Sequence, residues 1–307
     1  MNILKRIALK LISSPIINMT ESYQFIRQLQ KALVAPSKEK FHFSDRLISS
    51  EDRNHKIPIR IFHPTRQRSE EIILFFHGGG WVLGDIDTYT KDCSRLANET
   101  GRVVLSVDYR KAPEYPYPQG FDDCYYIAKL LLTEVADPKG NSSVNLTIMG
   151  NSAGGNLAAA VSLKLRDEGI TLPAKQVLIN PVTYWRHDSQ SPFKSVEKYG
   201  YNYGLTAKKM QEYMEMYEPN EALRTSSYIA PLLANDLSNQ PNTLIISSEF
   251  DPLRDEWEFY GYLLEEAGNQ VEMYRANNTI HNYLFSPIND EMIDTSYQII
   301  TDYLNNH

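Results

Sequence analysis

The stretch Val144-Asn145-Leu146-Thr147-Ile148-Met149-Gly150-Asn151-Ser152-Ala153-Gly154-Gly155-Asn156-Leu157-Ala158-Ala159-Ala160 decides how the chain reads. It opens as a short apolar run of strand type and closes as a small-residue helix. Between them stands Gly150-Asn151-Ser152-Ala153-Gly154, a G-x-S-x-G turn. In a strand–turn–helix setting this pattern lifts a serine hydroxyl out of the chain at the edge of a sheet. So tight a turn leaves no room for side chains two before and two after the serine, which calls for glycine at both. The hydroxyl then sits at a helix N-terminus, where free N–H groups and the helix dipole favour a developing negative charge. Ser152 is the candidate nucleophile.

Outward from this turn the chain alternates. Phe41 to Ser50 and Lys56 to His63 are alternating runs around the polar Glu51-Asp52-Arg53-Asn54 turn, which predicts an antiparallel hairpin. Short, nearly continuous apolar runs follow at Ile72–Phe76, Val103–Val107, Val144–Met149, Gln176–Ile179, Thr243–Ser247 and Val271–Tyr274. Such runs suit strands buried on both faces. Helical patterns separate them at Tyr89–Glu99, Phe121–Val135, Asn156–Arg166, Leu253–Ala267 and Met292–Leu304. The alternation predicts an α/β fold: a mostly parallel eight-stranded sheet, its first two strands antiparallel, with helices on both faces.

One stretch breaks the pattern. Between Pro181 and Thr243 lie about 60 residues with no strand signal, including the tyrosine-rich Tyr199-Gly200-Tyr201-Asn202-Tyr203-Gly204 and a helix from Thr206 to Glu218. A structureless loop of that length is unusual, so a helical insertion is expected. The expected division is residues 1–40 as N-terminal cap helices, 41–183 and 229–307 as the α/β core, and 184–228 as a cap insertion over the carboxyl edge of the sheet, where open α/β sheets bind ligands.

Composition excludes several classes. The chain has 307 residues, 42% of them hydrophobic and 22% charged, the profile of a globular protein that needs no metal or disulfide to hold its core. A net charge of −7 argues against a nucleic-acid partner, which asks for a basic face. Cys93 and Cys124 have neither disulfide-framework nor metal-site spacing. Ile3, Leu4, Ile7 and Leu11 share one face of an N-terminal amphipathic helix, but no apolar stretch reaches the ~18 residues of a membrane span. The expectation is a cytoplasmic protein without stable membrane anchoring, cofactor or metal.

Other residues bear on the chemistry. His77-Gly78-Gly79-Gly80-Trp81 directly follows the strand Ile72–Phe76. Three glycines at a strand's carboxyl end let backbone N–H groups approach a ligand, the form of an HGGG-type oxyanion loop. His77 reads as an orienting residue of that loop. A serine hydroxyl needs a base, and the base an acid. His42, His55, His63 and His77 precede Ser152, His187 precedes any strand that could present the acid, and His307 is terminal, which leaves His281. For the acid, Asp251 in Glu249-Phe250-Asp251-Pro252 fits the loop after the preceding strand, with Glu249 its rival. Asp255 and Glu256 fall on the next helix as surface or capping charges.

Four segments in order, HGGGW at 77–81, Asp108-Tyr109-Arg110-Lys111-Ala112-Pro113-Glu114-Tyr115-Pro116-Tyr117-Pro118, GNSAGG at 150–155 and Asp251-Pro252-Leu253-Arg254-Asp255-Glu256, resemble the hormone-sensitive-lipase-like α/β-hydrolases, the bacterial family IV esterases. The resemblance spans roughly residues 70–285. It implies an α/β-hydrolase fold, with Ser152 as nucleophile, Asp251 as acid and His281 as base. It further implies an oxyanion hole of Gly78, Gly79, Gly80 and Ala153, in which Gly78 shapes the loop and the other three amides donate. The segment 108–118 would be a proline-fixed turn that buttresses the site. The implied activity is hydrolysis of small acyl esters, with amide, N-acetyl or carbohydrate-acetyl hydrolysis as the alternative. A ligand-binding role, as in gibberellin receptors that have lost the base, fits less well with His281 in place. Two positions depart from the family pattern: Asn151 where it has Asp, and Asn282 where it commonly has Gly.

Overall fold

A computed structural model of the chain describes residues 18–33, 41–133, 145–285 and 291–307. The amphipathic helix expected at Ile3–Leu11 lies outside the described residues. Eight strands form one sheet in the order β1-β2-β4-β3-β5-β6-β7-β8. They are β1 (Phe43–Ser49), β2 (Lys56–Phe62), β3 (Ile72–Phe76), β4 (Val103–Val107), β5 (Leu146–Asn151), β6 (Lys175–Ile179), β7 (Asn242–Phe250) and β8 (Val271–Ile280). β2 pairs antiparallel with both β1 and β4, and every other pairing is parallel. This is the expected eight-stranded architecture.

The central strands are buried on both faces, and alternate side chains divide between two cores. Leu74, Phe76, Ile148, Leu178 and Ile245 pack with Phe121, Leu157, Val161, Trp257 and Tyr260. Ile73, Phe75, Met149, Val177 and Ile246 pack on the other side with Leu96, Ala97, Tyr297 and Ile300. The first layer is carried by helices α3 (Gln119–Thr133), α4 (Ala153–Asp167) and α7 (Arg254–Glu266), the second by α2 (Thr90–Thr100) and α8 (Glu291–Asn306). Full burial explains why these strands show no polar alternation. Helix α1 (Met19–Leu33) and, within the 184–228 stretch, helices α5 (Lys194–Tyr199) and α6 (Ala207–Tyr217) complete the α-helices among the described residues. Thr206 caps α6 through its side chain, which accepts from Lys209 N.

Two departures from the sequence reading have local causes. The strand before Ser152 runs on to Asn151 rather than ending at Met149, because Gly150 and Asn151 still pair with β6; Val144, where it was expected to begin, lies outside the described residues. β8 extends to Ile280 instead of ending at Tyr274. An irregularity between Ser248 and Phe250 lets β8 spend extra polar residues and then re-pair Ile280 with Phe250. Glu249 accepts from Asn278 N inside this bulge at 2.8 Å.

The far end of the sheet holds a buried ionic cluster. Glu71 accepts from Arg102 at 2.5 Å, Lys175 at 2.8 Å and Thr147 at 2.6 Å. Burial pushes its carboxyl up, but these three donors overcome that and hold it below the ordinary range.

Glycine in the turn region is a matter of space. A Cβ on Gly154 would lie 1.9 Å from the carbonyl oxygen of Phe76, whereas one on Gly169 would meet nothing within 4 Å. Gly154→Ala should therefore cost at least about 3 kcal/mol of stability or prevent folding. Gly169→Ala, at φ +67°, should cost only the ~1–2 kcal/mol of left-handed backbone. Urea unfolding of the two variants checks this; equal losses would refute it.

Candidate active site

Ser152 stands between β5 and α4 with φ 56° and ψ −117°. A non-glycine residue at positive φ stores strain, and here the turn's neighbours hold it in place. Ser152 N donates to Ile179 O at 2.8 Å. A Cβ on Gly150 would fall 2.0 Å from Gly154 O, so the glycines on both sides of the serine are sterically required.

His281 and Asp251 meet the serine across the carboxyl edge of the sheet. His281 Nε2 lies 2.9 Å from Ser152 Oγ, and His281 Nδ1 lies 2.7 Å from Asp251 Oδ2. A carboxylate at Nδ1 favours the tautomer with its proton there, which leaves the Nε2 lone pair facing the serine hydroxyl. Asp251 is fully buried. Its oxygens also accept from Leu253 N at 2.9 Å and Asn180 Nδ2 at 2.9 Å. The rival acid Glu249 points instead to Asn278 N. His187 is buried elsewhere, its Nε2 2.9 Å from Glu256.

The glycine loop lies against the same turn. Gly79 and Gly80 adopt φ 121° and 61°, and Gly79 O accepts from Val82 N and Leu83 N. Ala153 is the first residue of α4, so its amide is among those without an intrahelical acceptor. A Cβ on Gly80 would collide with the ring of Tyr213 at 2.4 Å. Trp81 stacks on Tyr217 at 4.4 Å between centroids. The loop is thus packed directly beneath helix α6. His77 is buried, stacks on Tyr109 at 4.3 Å and bonds Gly78 O through Nδ1. Burial, with the Lys111 ammonium adding to it, holds the imidazole down to about 4. Tyr109 donates to His77 O and Ala112 N to Trp81 O, so residues 108–112 brace the loop.

Residues 73–285 match the profile of a family with the α/β-hydrolase fold. The chain belongs to the α/β-hydrolase family. The kinship with its hormone-sensitive-lipase-like branch stands. The chain is 37% identical over 278 residues to an arylesterase of Saccharolobus solfataricus, covering 89% of this chain and 88% of that protein. It is 30% identical over 268 residues to an ethyl acetate hydrolase of Pseudomonas putida, covering 86% and 82%. A hyperthermophilic esterase from the archaeon Pyrobaculum calidifontis superposes with a TM-score of 0.85 at 32% identity, covering 98% of this chain and 97% of that one.

Several residues around the site of this hydrolase left no motif in the sequence. Asn180, at φ 45°, holds Asp251, and its positive φ just past β6 is the kind of position where Asn is enriched. Arg27 of α1 donates to Val82 O and Ala112 O, both at 2.7 Å, and to Glu114 at 2.8 Å, fastening the N-terminal helix to the glycine loop. Glu256 corrects an expectation: it is no surface charge but fully buried, accepting from Thr183 N, Tyr184 N and His187. Nothing in helical periodicity reports that those donors arrive from a distant segment. Asp255 also reaches a remote segment rather than capping its own helix: it accepts from Ser195 N near the start of α5. Among the described residues, no group of three or more His, Cys, Asp or Glu side chains is placed to hold a metal ion, and no helix is long and apolar enough to cross a membrane.

The neutral state of His77 makes stability pH-dependent. Its folded pKa of about 4 lies below the ordinary 6.5, so the unfolded chain binds more protons between these values. The contribution is complete above pH 6.5 and is lost as pH falls towards 4, to a total of about 3 kcal/mol. Urea unfolding from pH 7 to 4 should show this loss, and His77→Gln should flatten it; an equal slope in both proteins would overturn the assignment.

Proposed function

We propose that the protein is a serine carboxylesterase acting on short-chain acyl esters. The observation that carries this reading is the continuous hydrogen-bonded series Ser152 Oγ, His281 Nε2, His281 Nδ1 and Asp251 Oδ2, at 2.9 Å and 2.7 Å. Ser152 attacks the ester carbonyl while His281 takes its proton. Asp251 keeps the imidazole oriented and stabilises the imidazolium that forms. The amides of Gly79, Gly80 and Ala153 accommodate the oxyanion, and Gly78 shapes the loop that carries two of them. His281 then protonates the departing alcohol. Water, activated by the same imidazole, releases the acid from the acyl-enzyme.

The substrate class draws on the relatives and on the surroundings of the loop. One relative is named for ethyl acetate and another for aryl esters. Tyr213 and Tyr217 of α6 pack over Gly80 and Trp81. Residues 184–228, together with helix α1, would then act as a cap that limits the acyl pocket and favours a small partner. The working location proposed for such an enzyme is the cytoplasm.

Ser152→Ala should lower kcat on p-nitrophenyl acetate by at least about 10⁴-fold while leaving the melting temperature near that of the parent. Across p-nitrophenyl acetate, butyrate, octanoate and palmitate, turnover should peak at the two shorter chains. Serine-independent turnover would refute the nucleophile, and a maximum at palmitate would refute the short-chain preference. Cleavage of acetanilide in preference to phenyl acetate would replace the esterase by an amidase.

Asn180→Ala removes one of the donors to Asp251 and should lower kcat by about tenfold or more with little change in KM. Steady-state kinetics on p-nitrophenyl butyrate check this; an unchanged kcat would show that Asn180 does not matter to the acid.

A further inference from the structure

Behind Ser152, three chain segments meet at one side-chain amide. Asn151 is inaccessible to solvent. Its Nδ2 donates to Asn282 Oδ1 at 2.6 Å and to the Tyr89 hydroxyl at 3.3 Å. Asn282 follows His281 directly and adopts φ 64°. The Tyr89 hydroxyl also accepts from Gly78 N at 3.2 Å. A Cβ on Gly78 would stand 2.8 Å from Asn151 Nδ2 and 2.9 Å from the Tyr89 hydroxyl, so a larger residue there would break up the junction. The amide, with the Tyr89 hydroxyl it bonds, therefore joins the strand of the serine, the loop of the histidine and the first residue of the glycine loop.

The geometry points to Asn151 and Asn282 as positioning residues that form a neutral strut holding His281 Nε2 at Ser152 Oγ. This rests on the roles proposed above for Ser152 and His281. The backbone on one side of His281 is already pinned, because Ser248 Oγ donates to Ile280 O at 2.8 Å. The strut pins the other side through the Asn282 side chain. With both neighbours fixed, the ring keeps one position relative to a serine that belongs to a different part of the sheet. A shift of about 1 Å in such a pair can cost about 100-fold in rate, which sets the scale of what the strut protects. Asparagine suits both ends: it supplies a donor at 151, and an acceptor at 282 on a backbone conformation that Asn tolerates. It does this without placing a charge beside the imidazole.

The test uses the full chain with Asn151→Ala, Asn282→Gly and the double variant. Glycine at 282 accepts positive φ freely, so only the side chain is lost. Three quantities are measured: the second-order rate of Ser152 phosphonylation by a fluorophosphonate, kcat and KM for p-nitrophenyl butyrate, and the melting temperature. Each single variant should slow phosphonylation and kcat by about tenfold with KM within about twofold. The double variant should be no slower than the worse single, because both changes remove the same bond. Parent rates in the single variants, or losses that multiply in the double, would overturn the strut. If Asn151→Ala does not fold, Asn282→Gly on the exposed loop decides alone: slowed phosphonylation at an unchanged melting temperature supports the strut, and the parent rate sinks it. A parent protein that is phosphonylated but hydrolyses no ester overturns the esterase reading only, and the labelling rates still decide the strut. Failure of the parent to be labelled at all overturns both.

Discussion

The start of helix α4 lies almost on top of the end of β3, close enough that Gly154 could not carry a methyl group against the Phe76 carbonyl. That contact brings the serine turn and the glycine loop into one body. Both elements leave the sheet at its carboxyl edge, from adjacent parallel strands in register from Ile72 with Leu146 to Phe76 with Gly150. Parallel pairing aligns their ends, and the absence of a side chain lets them touch. Ser152 at positive φ and Gly79 and Gly80 in left-handed conformations follow from this crowding. The strain is held by a helix and two central strands whose apolar residues, Ile72 apart, are wholly buried.

Fixing His281 is a harder problem, because it arrives on the edge strand β8, two strands removed from β6 and three from β5. The solution is distributed. The bulge opposite Ser248 and Phe250 turns the end of β8 inwards. Glu249 fastens that bulge through Asn278 N, Ser248 holds Ile280 O, and Asp251 holds the ring itself. Each bond connects β7 or its following loop to β8 or to the histidine just past it, so the long pairing of these two strands serves as the alignment device for the histidine.

Much of this was legible in the sequence, for reasons that differ by residue. Strands buried on both faces announce themselves as apolar runs, and the serine turn and glycine loop announce themselves because steric exclusion admits only glycine at fixed positions. Chain order singles out His281. Asp251 was separable from Glu249 only by its place beyond the strand, since both are carboxylates two residues apart. Asn180, Arg27, Tyr213 and Glu256 were not legible, because their importance lies in partners supplied by remote segments. A buried glutamate reads in one dimension like any solvent-facing glutamate on a helix. What separates them is the set of three donors from residues 183–187, which only folding assembles. The end of β8 was missed for a related reason: Asn277 and Asn278 are poor strand formers, and a bulge accommodates them.

The electrostatics of the site follow from the same choice of partners. The groups that touch the serine, the histidine and the acid, or that hold their neighbours, are mainly uncharged: Asn180 on Asp251, Asn151 on Asn282, Ser248 on Ile280 O and Tyr89 on Gly78 N. His77, nearest to the glycine loop, is kept neutral by burial. Asp251 is then the negative charge in direct contact with the imidazole, and its field is met by donors rather than by a lysine or arginine. A cation on Asp251 would weaken its hold on an imidazolium, while a second carboxylate beside the ring would favour the protonated form at rest and block it as a base. Neutral amides avoid both outcomes while still fixing position. On this argument, the asparagines around Ser152 and His281 are there to hold geometry firmly without adding charge.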